Sequence, residues 1–275
     1  MGHSSKTLFL DRPEGRLAYD VSGDGPLVVC VPGMVDVRSS YRHLAPALVE
    51  AGYRVATMDL RGHGESDTTF SAYDDQAAAS DVLALIGHLD QSPAVVVGNS
   101  MGAAAATLVA ADEPGLIEAI VMLGPFVRNP PTTWFQRAMM WLMLRRPWGV
   151  PAVAAFYRSL NAGVTPPDLG DHLQRIRAAL RRPGAWAAVV RTTKTSHAQV
   201  TPRLAHVMAP TLVVMGERDP DFADPAAEVR FIADALGGPT EIDVVPDAGH
   251  YPQAQRPDLV NPRVVGFLDQ ARRHA

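Results

Sequence analysis

Apolar residues gather in short runs along this chain, and the runs are separated by longer stretches of mixed character. The runs 27–31 (Leu-Val-Val-Cys-Val), 94–97 (Ala-Val-Val-Val) and 211–215 (Thr-Leu-Val-Val-Met) are continuous, and 117–123 is nearly so. A short continuous run rich in β-branched residues predicts a strand buried on both faces. Further strands are predicted at 7–10, 16–21, 54–59 and 241–245, the first two flanking the Pro13-Glu14-Gly15 turn. Between them, helical spacing predicts helices near 40–51, within 74–90, at 101–112, near 225–236 and near 261–273. Pro262 is placed in the first turn of the last helix. Strands alternating with helices imply a mostly parallel sheet covered on both sides.

From about 128 to 205 the alternation stops. This stretch reads as four helices, 132–146, 151–161, 168–182 and 184–196, punctuated by proline and glycine. It divides the chain into a core of 1–127 plus 206–275 and a helical insertion of 128–205. All four tryptophans, 134, 141, 148 and 186, fall in the insertion, and its first helix is apolar nearly all round. Such a helix has two faces to cover, one on the main domain and one on a cavity; a small satellite core is the plainer reading.

The stretch Val97-Gly98-Asn99-Ser100-Met101-Gly102-Ala103 changes the picture from fold to chemistry. A strand runs into Gly-x-Ser-x-Gly and straight into an alanine-rich helix, the setting of a serine held at a sharp strand-to-helix turn. Free N–H groups at the helix start and the helix dipole favour negative charge there. A serine hydroxyl is a weak nucleophile at neutral pH and needs a base, which in turn needs an orienting carboxylate. Downstream, one strand runs into Gly216-Glu217-Arg218-Asp219 and another into Asp247-Ala248-Gly249-His250. Both lie past carboxyl ends of strands, the edge where sites form in open parallel sheets. Asp221 and Asp224 compete with Asp219 for the acid, and His63 and His197 with His250 for the base.

Taken together these motifs resemble the α/β-hydrolase fold with a helical lid, over the whole chain. The resemblance implies Ser100 as nucleophile, Asp219 as acid and His250 as base. Val31-Pro32-Gly33-Met34 is similar to the loop that supplies one oxyanion-hole amide, from Met34, with the second from Met101; Pro32 departs from the histidine common there. Asp59-Leu60-Arg61-Gly62-His63-Gly64-Glu65-Ser66 is similar to a structural signature of the family. The activity implied is hydrolysis of a hydrophobic ester, thioester or lactone, with Gly33, Trp134, Met139 and Trp186 at the substrate. The elbow also resembles that of the meta-cleavage-product C–C hydrolases, whose glycine-rich oxyanion loop is not matched by Val31 to Tyr41. The same motifs are compatible with a perhydrolase, a biosynthetic thioesterase or cyclase, and a hydrolase-fold ligand receptor.

Composition narrows the partners. The 275 residues are 47% hydrophobic with a net charge of −4 and a pI near 6.1, which disfavours nucleic acid. No apolar run reaches the length of a membrane span, and residues 1–6 lack the apolar core of a signal peptide. The single Cys30 sits in an apolar run and is expected to be a buried core residue in a cytoplasmic protein. No metal-ligand spacing and no dinucleotide fingerprint appear, so no cofactor is expected. Monomer and homodimer are both compatible with the sequence.

Overall fold

The eight predicted strands assemble into one sheet in the order β1-β2-β4-β3-β5-β6-β7-β8. This computed structural model describes residues 6–129, 133–145 and 147–274. The strands are β1 (Leu8–Arg12), β2 (Gly15–Ser22), β3 (Leu27–Val31), β4 (Arg54–Met58), β5 (Ala94–Asn99), β6 (Ile117–Leu123), β7 (Thr211–Gly216) and β8 (Thr240–Val245). Only β2 runs against the others. In the centre, Val31 of β3 stands opposite Gly98 of β5, and Asn99 opposite Leu123 of β6.

The continuous apolar runs have the expected cause, since alternate residues feed two separate cores. On one face Val29, Val31, Val96, Ile120, Met122 and Val213 pack under α2 (Asp75–Leu89), α3 (Met101–Asp112) and a third helix, Pro225–Ala235. On the other, Val28, Cys30, Val95, Val97, Val121 and Val214 pack under α1 (Leu44–Glu50) and the C-terminal helix, Pro257–His274. Cys30 is buried and free, and burial pushes its thiol pKa up, so it serves as a core residue.

Helices α4 (Trp134–Met143), α5 (Gly149–Leu160), α6 (Leu169–Leu180) and α7 (Ala185–Thr192) follow β6, and two 3₁₀ turns lead into β7. The helix expected at 132–146 is seen from Trp134 to Met143; its positions 132 and 146 lie outside the described residues, as do residues 1–5. The helix expected at 184–196 stops at Thr192, because Ser196 instead caps a 3₁₀ turn through Ala198 N. These helices enclose a third apolar cluster, built around Leu173, Ile176 and Val189 and joined by Val37, Tyr251 and Ala254 of the main body. After β7 come α8 (Pro225–Ala235), α9 (Pro252–Gln255) and α10 (Pro257–His274). Pro257, not Pro262, starts α10, and Asp258 follows it in the first turn; Pro262 therefore lies inside the helix.

Candidate active site

The loops after β3, β5, β6, β7 and β8 all leave the same carboxyl edge of the sheet, and the chemistry-bearing residues collect there. Ser100 is the residue between β5 and α3, with φ 54° and ψ −118°. A non-glycine residue at positive φ is strained, and such strain persists only where the surroundings fix it. Here a side chain at Gly98 would strike the Gly102 carbonyl, and one at Gly102 would strike Val31 O, so both glycines are required by close packing. Ser100 N donates to Leu123 O at 3.0 Å. The Asn99 amide Nδ2 donates to Leu123 O (2.8 Å) and to His250 O (3.2 Å), tying the elbow to the loop after β8.

His250 is 2% exposed and turns one ring nitrogen toward two carboxylates. Its Nδ1 lies 2.8 Å from Asp219 Oδ2 and 3.6 Å from Asp221 Oδ2. Burial opposes the charged imidazolium, but the Asp219 charge and hydrogen bond, then Asp221, outweigh it and push the His250 pKa up to about 9. Burial also raises Asp221, with His250 pulling the other way. Phe126 lies edge-on to the imidazole at 5.6 Å and contacts Phe222 at 5.1 Å, so the ring faces apolar surfaces as well as acids. Gly124, next to Leu123, abuts the imidazole so closely that a Cβ there would lie 3.2 Å from Nδ1. Elbow and imidazole loop are thus tied together through Asn99, while no hydrogen bond joins the Ser100 hydroxyl to the imidazole among the described residues. Hydrogen bonds of this kind commonly tighten only when substrate arrives.

The loop after β3 approaches the serine from the other side. A Cβ at Gly33 would come within 2.8 Å of Ser100 Cβ, so only glycine lets the loop lie this close. Among the described residues no backbone hydrogen bond uses the Met34 N–H, and Met101 is the first residue of α3, where the amide has no intrahelical partner. The same loop turns through Val35 at φ 72° into a fully buried Asp36. Asp36 Oδ1 accepts from Val37 N (2.7 Å) and faces His172 Nε2 (2.8 Å). The Tyr157 hydroxyl donates to its Oδ2 (2.9 Å). Burial would raise the Asp36 pKa, yet the His172 charge and hydrogen bonds hold it below the usual range.

The alpha/beta hydrolase family model matches residues 28–263. The chain belongs to the α/β-hydrolase family. It is 31% identical to BpoC of Mycobacterium tuberculosis, a candidate non-heme bromoperoxidase, over 92% of this chain and 97% of that one. It is 28% identical to a 2-hydroxy-6-oxononadienedioate/2-hydroxy-6-oxononatrienedioate hydrolase of a Pseudomonas species, over 94% and 95% of the two chains. A bromoperoxidase structure from Bacillus anthracis shares the fold with a TM-score of 0.82 at 21% identity, covering 97% of this chain and all of that one.

Within this hydrolase, then, Ser100, His250, Asp219, Gly33, Met34 and Met101 gather at one edge of the sheet, Asp221 lies 3.6 Å from the same imidazole nitrogen, and the other sequence candidates make different contacts. Asp224 caps α8 by accepting from Ala227 N at 2.9 Å. His63 is buried against Arg61 O, and His197 pairs with Asp75 at 2.8 Å. Trp186 is buried, its ring wedged against Gly149. Trp134 is 74% and Met139 51% exposed, so they are not enclosed as walls of a pocket. Their apolar character announced a surface to be covered without saying by what.

Asp36, Tyr157 and His172 escaped the sequence reading. One signal was available: His172 falls on the apolar stripe of α6, in register with Leu169, Leu173, Ile176 and Leu180, and all five are buried. A histidine in such a stripe needs a buried partner, and the hydrolase supplies Asp36.

Proposed function

We propose that this α/β-hydrolase is a serine hydrolase that cleaves a hydrophobic carboxylic ester, or a related thioester or lactone, through an acyl-enzyme. The observation that carries this reading is a serine at positive φ on a strand–helix elbow, tied through Asn99 to the loop of a buried imidazole that is bonded to Asp219. The expected roles follow from the chemistry. Neutral His250 takes the proton from Ser100 Oγ as the oxygen attacks the carbonyl carbon. Asp219 holds the ring through Nδ1 and stabilises the imidazolium that forms. The N–H groups of Met34 and Met101 receive the oxyanion, each worth about 3 kcal/mol in the transition state. The tetrahedral intermediate collapses as His250 gives its proton to the departing alkoxide. A water then repeats the sequence in reverse roles: His250 removes its proton, it attacks the acyl carbon, and Ser100 leaves protonated.

The surroundings favour an uncharged, apolar acyl group. Phe126 lies against the imidazole and Phe222 against Phe126, and the two acids near the imidazole repel an anionic substrate. Ser100 is only 9% exposed, so access calls for displacement of the helical insertion, which we take to be the lid over residues 128–205.

The bromoperoxidase relatives favour one further outcome of the same acyl-enzyme: attack by hydrogen peroxide in place of water. The peroxide oxygen bonds to the acyl carbon, Ser100 leaves with the proton from His250, and a peroxy acid is released that can oxidise bromide.

One panel tests both. Esters of increasing chain length, a thioester, a lactone and a vinylogous diketone are assayed in water, and acetate with peroxide and bromide is assayed for bromination. The proposal expects ester turnover that falls by about 10⁴-fold or more in Ser100→Ala with the fold intact. Retained ester turnover in Ser100→Ala, or turnover of the diketone alone, rejects it.

A further inference from the structure

Helix α4 presents a broad apolar face that nothing among the described residues covers. Trp134 (74%), Phe135 (57%), Trp141 (59%), Met139 and Leu142 are all exposed, over a helix of about 15 Å. The helix is held from below, where Met143 and Leu144 pack with the cluster around α5 and α6. Trp148 extends the patch beyond the helix end, its indole N–H donating to Leu142 O at 2.9 Å. A contiguous exposed surface of this kind marks an interaction site.

The charges around it say which kind. Between Glu118 and Asp168 every Lys, Arg, Asp or Glu is an arginine: 128, 137, 145, 146 and 158. The chain as a whole is acidic, at −4, so this segment is cationic against the general trend. Arg128 is neutralised by Glu228, but Arg145 and Arg158 are exposed. The Arg145 guanidinium stacks 3.8 Å over the Trp141 ring, which sets a cation directly at the margin of the apolar face. Tryptophan, phenylalanine and leucine on one face with arginine at the border is the arrangement that settles at a membrane–water interface.

We infer that α4 and Trp148 form an interfacial docking surface for an anionic phospholipid bilayer. The apolar side chains enter the headgroup boundary while Arg145 at its margin engages lipid phosphates; among the described residues no helix is long and apolar enough to cross a membrane. This is a surface for peripheral attachment, separate from the elbow and its imidazole.

The test uses the full chain with vesicles of phosphatidylglycerol mixed with phosphatidylcholine, and with vesicles of phosphatidylcholine alone. Co-sedimentation is expected to be at least tenfold greater on the anionic vesicles and to drop in 1 M salt, where screening acts over about 3 Å. Tryptophan emission is expected to shift to the blue and to be quenched by brominated lipid. Phe135→Ser with Trp141→Ser removes the apolar anchor, and Arg145→Glu reverses the border charge. Each is expected to lower binding about tenfold or more, with the fold verified by circular dichroism and melting. The inference is overturned by failure to bind anionic vesicles, by equal binding to both vesicle types, or by folded variants that bind like wild type. It is also overturned if sedimentation velocity shows a dimer that these variants dissociate, since a second copy then occupies the face.

Discussion

His172 Nε2 lies 2.8 Å from Asp36 Oδ1, joining helix α6 to the loop that carries Met34. Both side chains are buried, and Tyr157 of α5 donates to the same carboxylate. Removing one partner of such a buried pair leaves the other without compensation. Asp36→Ala is therefore expected to cost about 3 kcal/mol of stability, measured by urea unfolding. Asp36→Asn keeps the shape and loses the charge. Its expected effect is a lower kcat with little change in KM, because in the proposed mechanism the loop amide acts on the oxyanion and not on the bound ester.

The pH profile tests the imidazole. A base works in its neutral form, and the two acids raise the His250 pKa from its ordinary value of 6.5 to about 9. The logarithm of kcat/KM for ester hydrolysis is therefore expected to climb through pH 7 and 8 and to level off near 9. Stability runs the other way. The raised pKa contributes stability that is complete below about 6.5 and is lost as pH rises through about 9. A profile flat from pH 6 upward contradicts a raised imidazole pKa.

Asp219 and Asp221 are expected to separate by function. Asp221→Asn removes the more distant charge, 3.6 Å from Nδ1, and is expected to move the ascending limb to lower pH while the plateau activity above it persists. Asp219→Asn removes the hydrogen-bonded partner at 2.8 Å, with an expected fall of about 10⁴-fold in kcat. If the two variants exchange behaviours, Asp221 is the orienting acid.

Gly33 offers a steric test. Gly33→Ala places a methyl 2.8 Å from Ser100 Cβ, and the loop has to withdraw. The expected loss of kcat is about 100-fold, the scale of one displaced oxyanion donor, with melting close to wild type because the shift is confined to the loop.

The sequence displayed the sheet because burial on both faces leaves strands with no polar phase, as in Leu27–Val31, where every residue is buried. It displayed the elbow because Gly98 and Gly102 are demanded by backbone contacts that allow no side chain. Edge strands and helix ends were read within a few residues, and Pro262 was misplaced because Pro257 offered an equally good start five positions earlier. The link between Asp36 and His172 was hidden, since 136 positions separate them and neither lies in a motif. Trp134 and Met139 carried the reverse difficulty: apolar periodicity states that a face seeks cover, and gives no indication whether protein, substrate or another surface supplies it.

Helix α5 touches both sides of the proposed reaction centre. Tyr157 reaches the loop after β3 through Asp36, and the carbonyl of Leu160, at the helix end, accepts from the backbone N–H of His250 at 2.9 Å. In the proposed mechanism, a rearrangement that shifts this helix to let an ester reach Ser100 tugs on both the loop after β3 and His250. Under the proposed ester hydrolysis, admission and activation become a single mechanical event, and bulky acyl chains are expected to be discriminated in turnover rate more than in apparent affinity.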